Sequence, residues 1–240
     1  MRDRVTLVIG AGSGIGRACA RLLAERGDRL VLAGRQEAPL RALAAELGSE
    51  VEVATADVSL NDGATTLVSA ALRRFGRLDA AINTFGMVPR YGNPLDRLRV
   101  EDLRGVLAAN LRGVFLAVQA EAQVMSSGGA IVVLGSVLGE VGWAKQGPFS
   151  AAKHGIRGLC LTWAKELEAQ GVRLNVVEPG LVQAPTVERL VGKSLDAEGL
   201  DLSGAPDALA VARTVVWLSS DDSRAIQGQA IGVGGHVRRV

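Results

Sequence analysis

The sequence has few aromatic residues. Its 240 residues include four Phe, three Trp and one Tyr, so a hydrophobic core has to be built from Ala, Val, Leu and Ile. The net charge is only +2, and the basic residues form no block along the chain. With so few aromatic rings for base stacking and no basic patch, the sequence does not indicate a nucleic-acid-binding protein.

Cysteines and long apolar runs are scarce as well. Cys19 and Cys160 are the two cysteines, and their spacing does not suit a metal site, so we interpret them as small core residues of a reduced compartment. The apolar run at residues 5–9 is too short for a signal sequence, and two serines and two glycines interrupt the uncharged stretch 122–139. We therefore expect a soluble cytoplasmic protein with no metal and no membrane partner.

Apolar residues make up 48% of the chain, which excludes intrinsic disorder. The 30 glycines follow no Gly-X-Y period, which excludes a collagen-like protein. Short apolar runs typical of buried parallel strands occur at 6–9, 30–33, 51–54, 80–83, 131–134, 173–176 and 230–233. Segments with helical periodicity lie between them, at 15–26, 40–47, 62–75, 100–123, 149–170 and 206–219. This alternation predicts an α/β fold, a single Rossmann-type domain over residues 1–240. Its doubly wound parallel sheet of about seven strands has helices on both faces, and residues 182–205 form a flexible substrate flap.

A glycine-rich loop follows the first strand. Glycines stand at Gly10, Gly12, Gly14 and Gly16, and a predicted helix begins at Ile15. Glycine lets the backbone turn sharply and approach a pyrophosphate, whose charge the helix N-terminus stabilises. The position between the first strand and the first helix of a βαβ chain predicts a dinucleotide site, with phosphate contacts from the backbone of Ser13 and Ile15.

The second strand ends in Gly34 and Arg35, where an acidic residue would bind the adenosine 2′-hydroxyl. A guanidinium pairs well with a 2′-phosphate, so we expect NADP(H) to be preferred over NAD(H). Asp57 follows the third strand and is a candidate to accept a hydrogen bond from the adenine amino group; the alternative is that it caps a helix.

Further motifs follow the glycine loop in a fixed order. They are Asp57-Val58, the stretch 78–86 with Asn83, Asn110, Ser136, Lys153, Pro179-Gly180, Gly228-Gln229 and Gly234-Gly235. Taken together, this series resembles the short-chain dehydrogenase/reductase family across essentially the whole chain. The resemblance implies an oxidoreductase that acts on a small molecule and that forms a homotetramer or homodimer through the helices at 100–123 and 149–170.

The resemblance also assigns roles to individual residues. It implies that Ser136 holds the substrate oxygen, that Lys153 binds the nicotinamide ribose and that Asn110 is the active-site asparagine. Cofactor contacts are expected from the glycine loop and from Val58, Asn83, Pro179, Gly180 and Val182.

The family's tyrosine, four residues before the lysine, is Phe149 in this chain. In the family this tyrosine exchanges a proton with the carbonyl oxygen, helped by the lysine. A phenylalanine ring has no proton to exchange, and loss of a general acid typically costs about 10²–10⁴ in rate. Ordinary carbonyl reduction should therefore be impaired. The scattered departures Thr84, Phe85, Ala184 and Gly234 favour natural divergence over an engineered Tyr→Phe change.

Three explanations remain for an active-site position without the hydroxyl. Hydride transfer to an iminium carbon needs no simultaneous protonation, and Glu140, a candidate substrate residue, could stabilise such a cation. The second explanation is a dehydratase, isomerase or cyclase in which Lys153, Ser136 or Glu140 carries the proton. The third is a cofactor-binding subunit without catalysis. The one tyrosine, Tyr91, is a remote candidate for a substitute acid.

Overall fold

The computed structural model describes residues 3–12, 14–48, 50–87, 93–183 and 205–234. Within them the chain forms one seven-stranded sheet in the order β3-β2-β1-β4-β5-β6-β7, and every neighbouring pair is parallel. The strands are β1 (Val5–Ile9), β2 (Arg29–Gly34), β3 (Val51–Thr55), β4 (Ala80–Asn83), β5 (Ala130–Leu134), β6 (Arg173–Pro179) and β7 (Ala230–Val233).

Helices cover both faces of this sheet. They are α1 (Gly14–Arg26), α2 (Glu37–Leu47), α3 (Gly63–Phe75), α4 (Val100–Leu107), α5 (Gly113–Ala122), α6 (Gly147–Glu168) and α7 (Ala208–Leu218). One apolar layer packs the sheet against α3, α5 and α6, and a second packs it against α1, α2 and α7. Central strands such as β1 are fully buried because both of their faces are covered, which explains their continuous apolar sequences.

The predicted fold class is confirmed, and the predicted strands and helices agree with the observed ones to within a few residues. One predicted element needs correction. The helix expected at 100–123 is interrupted by a π-helical turn, Ala108–Arg112, which separates α4 from α5. The side chain of Asn110 lies in this turn, and its partners are described with the site below.

Several predicted features lie outside the described residues: Ser13, Tyr91, Ala184 and residues 184–204 of the expected flap. At the edge of that segment Val182 is buried in the layer beneath α7, and Gln183 forms a bridge with Asp207. Within the part of the chain that the structure describes, no helix has the length and apolarity needed to cross a membrane.

Candidate active site

A cavity of about 350 Å³ opens at the carboxyl ends of β1, β2 and β4. The strand order reverses between β1 and β4, and a crevice at such a reversal is where open α/β sheets bind their ligands. The lining residues come from the ends of the strands and the loops that follow them: Ile9, Gly10, Gly12, Gly34, Arg35, Gln36, Pro39, Leu40, Ala56, Asp57, Val58, Ser59, Thr84, Phe85, Gly86, Met87 and Ala109.

The glycine loop is shaped by close approaches to β4 and to itself. A Cβ added to Gly16 would lie 2.2 Å from the carbonyl oxygen of Gly10, and one added to Gly10 would lie 2.8 Å from Oγ1 of Thr84. Oγ1 of Thr84 in turn donates a hydrogen bond to the carbonyl oxygen of Ile9 at 2.9 Å. A larger residue at 16 would push α1 away from the end of β1, and one at 10 would push the glycine loop away from the residues that follow β4. These two glycines therefore let the loop and the start of α1 pack closely against the sheet.

Gly14 has a different environment, because it begins α1 with a φ of +54° and nothing lies within 4 Å of its Cβ position. The Cβ position of Gly14 therefore faces open space. The first turn of an α-helix carries backbone N–H groups without intrahelical partners, and these groups and the helix dipole attract an anion. Ile15 is half-buried in the same turn. The glycine cradle, the free helix start and the cavity together fit the pyrophosphate of a dinucleotide.

The adenosine end of the cavity carries one positive and one negative side chain. Arg35 is exposed at the end of β2 and lines the cavity. Asp57 lines it from the loop after β3, but its Oδ1 accepts hydrogen bonds from the backbone N–H and the hydroxyl of Ser59, which lower the carboxyl pKa. Asp57 is not the cap of α3, since that residue is Asp62, so the helix-cap alternative is wrong. Val58 is buried beneath it.

Asn83 points away from the cavity. Its Nδ2 donates a hydrogen bond to Oε2 of Glu121 in α5 at 3.0 Å, and both side chains are buried. The Asn83 side chain therefore holds the end of β4 against α5, and the cofactor contact expected at Asn83 stays a prediction.

Asn110 links the π-helical turn to the loop after β4. Its Nδ2 donates to the carbonyl oxygens of Met87 and Val106, both at 3.0 Å, while its Oδ1 accepts from the Met87 backbone N–H at 3.3 Å. A Cβ on Gly86 would lie 2.7 Å from this Oδ1 and 4.0 Å from Nζ of Lys153. Asn110, Gly86 and Lys153 thus lie close together at one wall of the cleft.

Ser136 follows β5 and begins a short 3-10 helix, Val137–Gly139. Its Oγ accepts a hydrogen bond from the backbone N–H of Leu138 at 3.2 Å. Within the described part of the chain, the hydroxyl donates no hydrogen bond. The side chain is half-buried, and the 3-10 helix packs against α6.

Lys153 and Phe149 lie one turn apart in α6 and face each other. Nζ of Lys153 donates to the carbonyl oxygen of Leu134 at 2.9 Å and lies 5.5 Å from the centroid of the Phe149 ring. Among the described residues Lys153 has no ion-pair partner. Burial lowers the pKa of Lys153 to about 8, and the charge of Glu178 partly opposes this effect. The Phe149 ring is buried and packs with Val106, Val137, Leu138 and Ala152.

The other predicted residues are arranged around this core. The half-exposed carboxylate of Glu140 lies 3.5 Å from the guanidinium of Arg157. Pro179 ends β6, and the backbone N–H of Gly180 donates to the carbonyl oxygen of Val233 at 3.0 Å. Ser136, Phe149, Lys153 and Asn110 therefore form one group, and the glycine loop, Arg35, Asp57 and Val58 form a second one along the same edge of the sheet.

Sequence reasoning missed two buried carboxylates beside these groups, Glu121 and Glu178. Glu178 interrupts an apolar strand directly before Pro179, and a charged residue at such a position is the signal that could have drawn attention to it. Glu121 offers a weaker signal, because a glutamate in a helix is ordinarily solvated.

The fold and the site define a class of protein: a Rossmann-type domain with a dinucleotide cavity and a serine, lysine and asparagine at the carboxyl edge of its sheet. The sequence model of the family described as enoyl-(acyl carrier protein) reductase matches residues 10–235. With this match and the relatives below, the chain belongs to the short-chain dehydrogenase/reductase family.

The relatives are similar over almost their whole length. The short-chain dehydrogenase/reductase aba4 of Botryotinia fuckeliana is 36% identical, covering 97% of this chain and 96% of the relative. The 3-oxoacyl-[acyl-carrier-protein] reductase FabG of Thermotoga maritima is 32% identical, covering 98% of both chains. The crystal structure of levodione reductase superposes with a TM-score of 0.90 at 32% identity, covering 98% of this chain and 97% of that one. The named relatives are reductases, so the chain is that of an enzyme of the oxidoreductase class.

Proposed function

We propose that the protein is an atypical oxidoreductase that binds NADP(H) and acts on a small-molecule carbonyl, imine or alcohol. In this proposal Phe149 occupies the place of the family's tyrosine, and ordinary carbonyl reduction is impaired. Kinship with reductases supports the reaction class. The observation that carries the finer proposal is the buried Phe149 ring 5.5 Å from the Lys153 amine, where the family has an ionisable hydroxyl.

The preference for NADP(H) rests on Arg35. It lines the cavity at the end of β2, while the nearest acidic residue of α2, Glu37, is engaged with Arg41 at 2.5 Å. A guanidinium at this edge can pair with a 2′-phosphate in a bidentate manner, and the glycine cradle would hold the pyrophosphate.

When bound, NADPH supplies a hydride. Lys153 would hold the nicotinamide ribose through Nζ, beside the turn formed by Pro179, Gly180 and the buried Val182. Ser136 would donate its free hydroxyl hydrogen to the substrate, and Asn110 would keep the cleft wall in place. Phe149 offers no proton, so these residues favour a substrate that is already cationic at the accepting carbon, such as an iminium ion. Glu140 remains a predicted substrate residue that would have to leave Arg157 to reach such a cation.

A cofactor and substrate panel tests this proposal. We expect NADPH to bind at least about tenfold more tightly than NADH in calorimetric titrations, because only NADPH carries a 2′-phosphate with which Arg35 can pair. We expect NADPH oxidation with cyclic imines to exceed that with ketones of matched shape. Tight NADPH binding without turnover of any member would support a cofactor-binding subunit, and turnover without net change in NADPH would support dehydration, isomerisation or cyclisation.

The predicted assembly and location are part of the proposal. Phe115 in α5 is 40% exposed and packs edge-on against Trp163 in α6, with ring centroids 5.5 Å apart. This aromatic pair on the outer side of two adjacent helices supports a homotetramer or homodimer in which a second copy covers it. Light scattering after size exclusion measures the assembly, and a monomer would contradict it. A cytoplasmic location remains a prediction from the cysteine content.

A further inference from the structure

Glu178 is a buried carboxylate behind the candidate active site, and the proposed reaction assigns it no role. Its side chain is 3% exposed at the end of β6. Oε2 accepts a hydrogen bond from Arg157 at 2.9 Å, while Oε1 is buried and has no hydrogen-bond partner among the described residues. Arg157 lies one helical turn after Lys153, and its guanidinium also approaches Glu140 at 3.5 Å. Burying a carboxylate costs free energy unless a partner such as Arg157 compensates for the lost hydration.

The loop that carries Ser136 is folded around the Glu178 side chain. A Cβ on Gly135 would lie 2.9 Å from Cγ of Glu178, and one on Gly139 would lie 3.1 Å from Oε1 of Glu178 and 2.9 Å from the carbonyl oxygen of Lys153. Neither glycine has a positive φ, so space rather than backbone conformation calls for glycine there. The two glycines flank Ser136, one residue before it and three residues after it.

The same side chain is connected to the other parts of the site. Glu178 directly precedes the Pro179–Gly180 turn, and Arg157 belongs to the helix of Lys153. Burial raises the pKa of Glu178, as does nearby Glu140, whereas Arg157, His154 and Lys153 oppose the rise. The Arg157–Glu178 pair thus meets the Ser136 loop, the Lys153 helix and the nicotinamide-side turn at a single point.

We propose that Glu178, clamped by Arg157, is a positioning residue that fixes the Ser136 loop against the Lys153 helix and the Pro179–Gly180 turn. The expected effect on the reaction rate rests on the proposed function, because the position of the Ser136 hydroxyl affects the rate only if Ser136 binds the reacting substrate. A displacement of about 1 Å of such a group can cost about a hundredfold in rate. Glu178 itself contacts the loop and not the substrate.

Amide hydrogen exchange of the full chain tests the positioning without any need for activity. The backbone N–H groups of Gly139, Glu140 and Val141 donate to oxygens within the loop at 2.7, 3.0 and 3.1 Å. We expect Glu178→Gln to speed exchange over residues 135–141 by at least about tenfold while β5 stays protected. Glu46→Gln is the matched control, since it breaks an Arg–Glu pair of similar length on the surface, with Arg21 at 2.6 Å. Unchanged exchange in Glu178→Gln would overturn the proposal.

Kinetics supply the second readout, with Phe149→Tyr as the parent enzyme. We expect Glu178→Gln to lower kcat by about tenfold and to leave the Kd for NADPH within about threefold of the parent. Arg157→Lys, which keeps the positive charge, should retain more of the parent's kcat than Glu178→Gln does. It is also the second test variant if Glu178→Gln does not fold. A lowered melting temperature with an unchanged kcat would mean a purely structural role and would overturn the proposal. If no variant, parent included, turns over a substrate, the proposed function fails while the exchange result still decides the positioning.

Discussion

Glu121 should make the stability of the fold depend on pH in a defined way. It is fully buried in α5 and forms no ion pair within the described part of the chain, and burial raises its pKa from 4.5 to about 8 despite the hydrogen bond from Asn83. Oε1 of Glu121 and Oδ1 of Asn83 are both buried acceptors without a partner among the described residues. A neutral carboxyl group has a hydrogen to donate, whereas a carboxylate has none, so the surroundings favour the protonated form.

The sign and size follow from proton linkage. In the unfolded chain Glu121 loses its proton near pH 4.5, whereas the folded protein keeps it until about pH 8. The stabilising contribution is therefore complete below pH 4.5 and is lost as the pH rises through about 8. Because one pKa unit corresponds to about 1.4 kcal/mol, the loss amounts to roughly 5 kcal/mol across this window.

Glu121→Gln removes the titrating group and keeps its shape and its acceptor for Asn83. Urea unfolding at a series of pH values from 4 to 9 measures the free energy of unfolding of both proteins. Between pH 5 and pH 8.5, we expect the free energy of unfolding of the variant to rise by several kcal/mol relative to that of the wild type. Glu166→Gln, at an exposed site in α6, should run parallel to the wild type. Parallel curves for wild type and Glu121→Gln would refute the reasoning.

Two further substitutions test the cofactor site. Arg35→Ala should weaken NADPH binding at least about tenfold and NADH binding less than about twofold, because only NADPH carries the 2′-phosphate; an equal loss in calorimetric titrations of both cofactors would contradict the role of Arg35. Gly16→Ala places a Cβ 2.2 Å from the Gly10 carbonyl oxygen and should cost about 2 kcal/mol or more of unfolding free energy. Gly158→Ala, in a helix with nothing within 4 Å of the new Cβ, should instead stabilise by about 0.5–1 kcal/mol in the same urea titration.

The central strands such as β1 and β4 were predictable because each is a short apolar run that both helix layers cover, so residue type and burial coincide along it. The edge strands β3 and β7 are only partly buried. The helices were predictable from their periodicity, with one exception. The π-helical turn at Ala108–Arg112 depends on the bonds of Asn110 to Met87 and Val106, and the Met87 contact crosses 23 residues of sequence. Local periodicity carries no trace of such a contact.

The roles of Gly10, Gly16, Arg35 and Ser136 stay predictions. Their location at the carboxyl edge of the sheet was predictable, because backbone shape or strand position determines it. The pairing of buried charges was not. The strand predicted at 173–176 stops short of Glu178, whereas β6 continues to Pro179. Arg157, the residue that makes this carboxylate tolerable, lies 21 residues earlier in another element. The partner of Asn83 was hidden for the same reason.

The central claim is that ordinary carbonyl reduction is impaired because Phe149, beside Lys153, stands where the family has its proton donor. Steady-state NADPH oxidation with a ketone panel, comparing Phe149→Tyr with the wild type at neutral pH, tests it most directly. The restored phenol would lie beside the Lys153 amine, which favours its ionised form, and we expect the ketone reductase rate to rise at least about tenfold. An unchanged rate with NADPH still bound would contradict the claim, because the rest of the site would then have diverged as well.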